Sequence, residues 1–331
     1  MTMLRAGLLG CGGIANRHAQ AILGLKEDVE LVACCDIDPG RAAAFSQQYT
    51  GGTAQVFNDH HAMFASAKLD LAVICLPPFA HTDEVEQAAG RGIHLLVEKP
   101  IALHSGQAWK MVNQVEAAGI KTQVGFMYRF GEAVELLKQK QTAGQAGKPG
   151  LFSARYFCNA LHAPWWRERD KSGGQTVEQI IHLFDLMRVL LGEPLSVFSK
   201  QANLFHQDVP GYTIEDVSAT IATFPGGALG VIYASNAAIP NKWIKEWRLV
   251  SEKLVVDFVD WNHATFTPTA PLADPLTLAS DRDVFQAQMK DLVHAIKTGE
   301  QTRTPLREGA RSLDLVLAAQ RSSETRLEVN L

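Results

Sequence analysis

Along the first 125 residues, short apolar runs alternate with stretches whose apolar positions recur at helical spacing. The runs Leu4–Leu9, Glu30–Asp36, Ala54–Phe57, Leu69–Cys75, His94–Val97 and Lys121–Val124 predict strands. Between them, Ile14–Leu23, Gly40–Tyr49, His81–Arg91 and Ser105–Ala118 predict helices. Residues Asp70–Leu76 read D-L-A-V-I-C-L, apolar almost throughout, as a strand must be when helices cover both faces of its sheet. Such alternation implies an α/β arrangement, a doubly wound parallel sheet with crossover helices.

Past residue 125 the pattern changes. Glu132–Gln141 predicts a helix, and Thr142–Gly150 (T-A-G-Q-A-G-K-P-G) is the most linker-like segment of the chain. Strand-like stretches follow at Leu151–Cys158, Leu195–Gln201, Val217–Phe224, Ala228–Ala234, Glu246–Val250 and Leu254–Phe258. Short turns such as Pro225-Gly226-Gly227 suit an antiparallel sheet. One long helix, Gly174–Leu191, stops at Gly192, and two more, near Val284–Lys297 and Arg307–Ser322, close the chain. The expectation is two domains: residues 1–125, and an α+β domain over 126–331 with one large, mostly antiparallel sheet.

Composition narrows the partners. A chain of 331 residues, 47% hydrophobic and 20% charged, can bury two cores. Its 31 basic and 35 acidic residues leave a net charge of −4, with no surface to track nucleic-acid phosphates. No apolar run approaches the ~18 residues that span a bilayer. Cys11, Cys34, Cys35, Cys75 and Cys158 form no Cys-x-x-Cys pair and read as buried thiols of a reducing compartment. No metal site is expected. Leu8-Leu9-Gly10-Cys11 behind Arg5 imitates a lipoprotein cleavage box, but Ala6–Leu9 is shorter than the ~7 apolar residues of a signal core. A cytoplasmic protein is expected.

The first loop, Gly10-Cys11-Gly12-Gly13-Ile14-Ala15, matches G-x-G-x-x-A between a strand and a helix. Gly10 permits the tight turn, Gly12 lets the backbone approach a pyrophosphate, and Ala15 keeps helix and strand close. Gly13 and Ile14 open the helix whose free N–H groups face the phosphates. Asp36 ends the next strand, 24 positions after Gly12. A carboxylate there accepts hydrogen bonds from ribose hydroxyls and repels a 2′-phosphate, which favours NAD over NADP. Arg41, close by in sequence, is the residue that could pair with such a phosphate. The first domain is therefore read as a Rossmann dinucleotide-binding domain.

With Val97-Glu98-Lys99-Pro100, the chain resembles the Gfo/Idh/MocA oxidoreductases, the family of glucose–fructose oxidoreductase and inositol dehydrogenase. The similarity runs through the glycine loop, Cys75-Leu76-Pro77-Pro78 with His81, Glu98-Lys99-Pro100 and Gly125-Phe126-Met127-Tyr128-Arg129-Phe130. It continues in Gly173-Gly174 with His182-x-x-Asp185 and in the two closing helices. The resemblance implies cofactor contacts at Leu76, Pro77, His81, Glu98 and Lys99, and a Lys99–Pro100 bond that is often cis. It implies that Lys99 hydrogen-bonds the reacting hydroxyl and that His182 takes its proton as hydride leaves. Two positions depart from the family pattern: Glu178 stands where Asp is common, and Ile180 replaces a small residue, setting the chain apart from inositol-type members. The resemblance also implies a homodimer or homotetramer through the broad sheet.

The residues support this chemistry directly. Removing a hydroxyl proton suits an imidazole, and an ammonium stabilises the developing alkoxide. On the helix Gly174–Leu191, Glu178, His182 and Asp185 sit at i, i+4 and i+7 and share one face. Other readings stand beside these. His182 could be a hydrogen-bonded core histidine and Lys99 a solvated one; Asp185 either orients His182 or caps an element. Glu98 and Arg129 either form an ion pair or touch a ligand. Trp165 and Trp166, in Asn159–Arg167, either stack on a sugar or plug the core. The expected activity is NAD-dependent oxidation of a secondary hydroxyl on a sugar, sugar derivative or cyclitol. The alternatives are an NAD-dependent glycosidase reaction and a cofactor-binding sensor.

Overall fold

Each apolar run of the N-terminal part becomes a strand in the computed structural model of the chain, which describes residues 3–331. Met1 and Thr2, where the expected first domain begins, lie outside the described residues. Strands β1 (Leu4–Leu9), β2 (Val29–Cys35), β3 (Gln55–Phe57), β4 (Leu71–Ile74), β5 (His94–Val97) and β6 (Thr122–Val124) form one sheet. Their order is β3-β2-β1-β4-β5-β6, with all neighbours parallel. All of β4 is buried, the condition that made its sequence apolar without alternation. The crossovers carry α1 (Ala15–Leu23), α2 (Pro39–Thr50), α3 (His60–Ser66), α4 (Glu84–Ala89) and α5 (Ser105–Ala118). The strand order reverses between β1 and β4, so the loops after these two strands open side by side at the carboxyl edge, where α/β sheets bind ligands.

The second sheet has nine strands among the described residues. α6 (Glu132–Thr142) precedes β7 (Pro149–Phe157); α7 (Arg169–Ser172), α8 (Gln175–Glu178) and α9 (Ile181–Leu191) follow. Then come β8 (Ser196–Ala202), β9 (Val217–Thr223), β10 (Leu229–Ser235), β11 (Ile244–Ser251), β12 (Leu254–Phe258), β13 (His263–Pro268) and β14 (Leu276–Ala279). Helices α10 (Val284–Thr298) and α11 (Leu306–Thr325) lead to β15 (Val329–Asn330). The order is β14-β13-β12-β11-β7-β10-β9-β8-β15, antiparallel everywhere except at β7–β10. On β7, Phe152, Ala154 and Tyr156 are buried while Leu151, Ser153, Arg155 and Phe157 are not, the period-two alternation of a sheet covered on one face. Thr142–Gly150, for all its linker-like composition, joins α6 to β7 inside this unit.

The division of the chain differs from the expected one. The first unit runs to Met127 and takes up Asp283–Ala310 again; the second comprises Tyr128–Arg282 and Arg311–Leu331. A single domain over 126–331 is therefore corrected. The reason is the edge of the first sheet. β6 has a strand on one side only, so its other backbone groups need partners. The returning segment supplies them. Val124 N donates to Thr304 O at 2.7 Å, while Val124 O accepts from Gln288 Nε2 and Thr304 Oγ1. Phe285 of α10 meets the His18 ring of α1 edge-on, 5.3 Å between centroids. Among the described residues, no helix is long and apolar enough to cross a membrane.

Candidate functional site

In the first unit the glycine loop follows β1 directly. Gly10 has φ +88°, and a Cβ there would lie 2.6 Å from Cys75 O, so side-chain bulk is excluded by the neighbouring strand's loop. Gly12 and Gly13 differ: a Cβ at either meets nothing within 4 Å. Packing of the described residues therefore does not require glycine at these two positions, and they leave the backbone open to a ligand. α1 repeats the contrast. Asp38 and Asp59 cap α2 and α3 by accepting backbone N–H groups, and Asp283 does so for α10. α1 has Ile14 at its N-cap with no side-chain cap bond, and no acidic residue in its first turn. Its leading N–H groups and positive dipole end are left for an anion. These features fit a dinucleotide pyrophosphate. Gly12→Val should therefore leave the fold intact and lower NADH affinity by about 10²-fold or more, read by titration calorimetry beside an unchanged melting temperature.

Asp36 is buried and ties this loop together. One of its oxygens accepts Cys11 N at 2.9 Å, the other Asp38 N at 3.0 Å. The Arg41 guanidinium lies 3.3 Å from Asp36 and 3.8 Å from Asp38, so its charge is shared with two carboxylates. That arrangement suits ribose hydroxyls better than a 2′-phosphate. Leu76 and Pro77, half-buried, follow β4 on the adjacent loop. His81, expected at the cofactor, has a fully buried side chain whose Nδ1 lies 2.5 Å from Glu84 Oε1. Burial works to raise the Glu84 carboxyl, but the hydrogen bond and charge of His81 outweigh it and hold Glu84 below its ordinary range. All five cysteines are free and buried, and burial pushes the Cys35 thiol up to about 12.

Lys99 is half-buried just past β5, and the Lys99–Pro100 bond is cis. Beside it, Glu98 is 5% exposed. Its carboxylate sits 2.6 Å from His18 Nε2 and accepts the Lys99 backbone N–H at 3.1 Å. Gly125 gives it room: a Cβ there would come within 2.5 Å of Glu98 Oε2. The sequence does not single out His18, although its position three residues past Ala15 put it on the helix that follows the glycine loop.

In the second unit the expected helix Gly174–Leu191 is broken. Ile180 N donates to Gln175 O, an i→i+5 bond at 3.0 Å that widens the turn between α8 and α9. The extra residue shifts the helical phase, so Glu178, His182 and Asp185 do not form one stripe, and each side chain meets a different partner. Glu178 accepts the Trp166 indole N–H at 2.8 Å. The His182 ring stacks on Tyr128, centroids 4.5 Å apart and planes 10° from parallel. Asp185 takes a two-pronged bond from Arg129, Nε at 2.7 Å and Nη2 at 2.5 Å, and a third from Ser312 at 3.0 Å. Asp185 thus anchors Arg129; its hydrogen bonds are neither to His182 nor to a helix end.

The two tryptophans separate. Trp166 is 2% exposed and packs with Tyr212 and Ile214, so it is core and no stacking surface for a sugar. Trp165 packs partly buried against that cluster. Sequence reasoning passed over the aromatic surroundings of His182: Tyr128 also stacks on Trp247 and lies 4.7 Å from the Trp261 ring. It passed over Lys245 as well, whose ammonium lies 5.5–5.9 Å from the rings of Trp261, Trp243 and Tyr156. A signal existed. Lys245 has the same strand parity as the buried Trp247 and Leu249, so it is a cation at a core-facing position.

Residues 4–126 match the model of an oxidoreductase family with an NAD-binding Rossmann fold, and residues 134–254 match the Gfo/Idh/MocA C-terminal domain. An inositol 2-dehydrogenase of Rhizobium meliloti is 31% identical, over 71% of this chain and 69% of its own. The chain belongs to the Gfo/Idh/MocA oxidoreductase family. A second member, the myo-inositol 2-dehydrogenase of Thermotoga maritima, is 25% identical over 99% of this chain and 98% of its own. The WlbA dehydrogenase from Bordetella pertussis, solved with NADH and UDP-GlcNAcA, superposes with a TM-score of 0.86. It is 25% identical and aligns over 100% of this chain and 99% of its own. Membership of the Gfo/Idh/MocA family makes this protein an NAD-binding oxidoreductase of the group that acts on sugars and cyclitols.

Proposed function

We propose that the protein oxidises a secondary hydroxyl of a sugar, sugar derivative or cyclitol with NAD, and that Lys99 and His182 serve the reacting hydroxyl. The observation that carries this reading is the His182–Tyr128 stack, which fixes the plane of a buried imidazole before any substrate arrives. NAD held at the glycine loop and Asp36 would supply the acceptor for the hydride that leaves the substrate carbon. His182 removes the hydroxyl proton, and the Lys99 ammonium holds the oxygen as charge grows on it. Asp185 keeps Arg129 oriented toward substrate hydroxyls, Glu178 keeps the Trp165–Trp166 loop in place, and Trp165 offers a stacking edge. NAD is preferred to NADP because Asp36 and Asp38 share the charge of Arg41. The outward face of the second sheet, with Phe198, Ile221, Leu229 and Tyr233 each 38–48% exposed, suits self-association into a homo-oligomer in the cytoplasm.

The test is NAD reduction across a panel of neutral sugars, sugar acids and cyclitols. At least one polyol should reduce NAD stoichiometrically. Glycoside hydrolysis without accumulating NADH would replace this reading with the glycosidase reaction, and tight NAD binding with no polyol oxidised would replace it with a sensor.

A further inference from the structure

We propose that His18 is a positioning residue for Lys99, acting through the Glu98 carboxylate; this rests on the reading that Lys99 serves the reaction. His18 is 0% exposed and lies on α1, the helix that opens at the glycine loop. Its Nε2 makes a 2.6 Å contact to Glu98 Oε1, while Glu98 Oε2 accepts the Lys99 amide. A carboxylate is rigid and planar, so holding one oxygen restricts where the other can lie, and with it the Lys99 peptide that donates to it. Gly125 leaves no spare volume around that carboxylate, and the Phe285 edge holds the imidazole from the side.

Among the described residues, His18 Nδ1 has no hydrogen-bond partner. An imidazole kept dry with one nitrogen unsatisfied is a poor choice for filling space, since a leucine or phenylalanine would leave no polar atom stranded. What the imidazole adds is the single bond to Glu98. The consequence at Lys99 is a lever. Turning its backbone by about 20° swings an extended lysine nitrogen, roughly 6 Å from Cα, through about 2 Å. A displacement of about 1 Å at reacting atoms costs on the order of 10²-fold in rate. Helix α1 therefore does two jobs: its N-terminus faces the cofactor phosphates, and its next turn sets the lysine.

The test compares His18→Leu, His18→Gln and Glu98→Gln in the full chain. Glutamine can place an amide N–H near the position of Nε2; leucine cannot. Hydrogen exchange at the Lys99 amide, resolved by fragmentation mass spectrometry without cofactor or substrate, should rise about tenfold or more in His18→Leu and return near wild type in His18→Gln. With the best polyol, kcat should fall on the order of 10–100-fold in His18→Leu while NADH affinity stays within about threefold. His18→Gln should recover most of that kcat. Adding Glu98→Gln to His18→Leu should cost little more, because both act on one contact. Unchanged Lys99 exchange in His18→Leu would overturn the proposal, as would a His18→Gln variant as impaired as His18→Leu. If wild type oxidises no polyol, that result counts against the proposed function, and the exchange measurement decides this one alone.

Discussion

His182→Ala is expected to lower kcat by about 10²–10⁴-fold, the range measured when a general base is removed. KM for the polyol should change far less, because the imidazole matters most when the proton is in flight. Tyr128 contributes to the size of the effect. An imidazole stacked at 4.5 Å on a buried phenol ring has its plane set before substrate arrives, so little reorganisation is needed during the reaction. His182→Asn, which keeps polarity without a basic ring nitrogen, should be as inactive as alanine. Lys99→Met, similar in length and uncharged, should cost about 10²-fold or more through lost stabilisation of the oxygen. Steady-state kinetics beside NADH titration checks all three variants: cofactor affinity within about threefold of wild type shows that the loss is chemical. Full activity in either the His182→Ala or the Lys99→Met enzyme would remove that residue from the mechanism.

Asp185→Ala should destabilise the second unit by about 3–5 kcal/mol, the cost of breaking a buried ion pair and leaving its partner charged. The side chains of Asp185 and Arg129 are 1% and 10% exposed, so solvent screens the guanidinium poorly once its carboxylate is removed. Ser312 loses its acceptor at the same time, and Arg188, 3.9 Å away, loses a counter-charge. Arg129→Met should be comparably damaging. The double variant Arg129→Met, Asp185→Leu should cost less than the sum of the two single changes, because neither charge is then buried alone. Urea denaturation followed by tryptophan fluorescence measures each. If Asp185→Ala proves as stable as wild type yet loses turnover, Asp185 acts on the chemistry and the structural reading fails.

Much of the dinucleotide half is written locally. The turn after β1, the helix that begins at Ala15 and the acid at the end of β2 all follow from residues a few positions apart, and the apolar strands follow from burial on both faces. For Gly12 and Gly13 only the coordinates show open space where a Cβ would stand, since nothing in a sequence says whether a missing Cβ makes room for protein or for something else. The resemblance proposed Lys99 and His182 and gave no role to His18, Tyr128 or Lys245, because each of these is defined by a partner between about 50 and 120 residues away or by the parity of a strand.

Three outcomes belonged to the tertiary structure. Periodicity treated Gly174–Leu191 as one helix because hydrophobic spacing does not register a single i→i+5 bond, yet that bond sends Glu178, His182 and Asp185 to separate partners. The pattern identified two closing helices but not which sheet they serve, since an amphipathic face fits any apolar surface. The unpaired edge of β6 drew residues 283–310 back to the first unit. Trp166 looked the same on paper whether it faced a sugar or the core. Local pattern therefore settled which segments are strands or helices and where the glycine turn lies, whereas long-range packing and the need to satisfy buried polar groups decided which side chains meet.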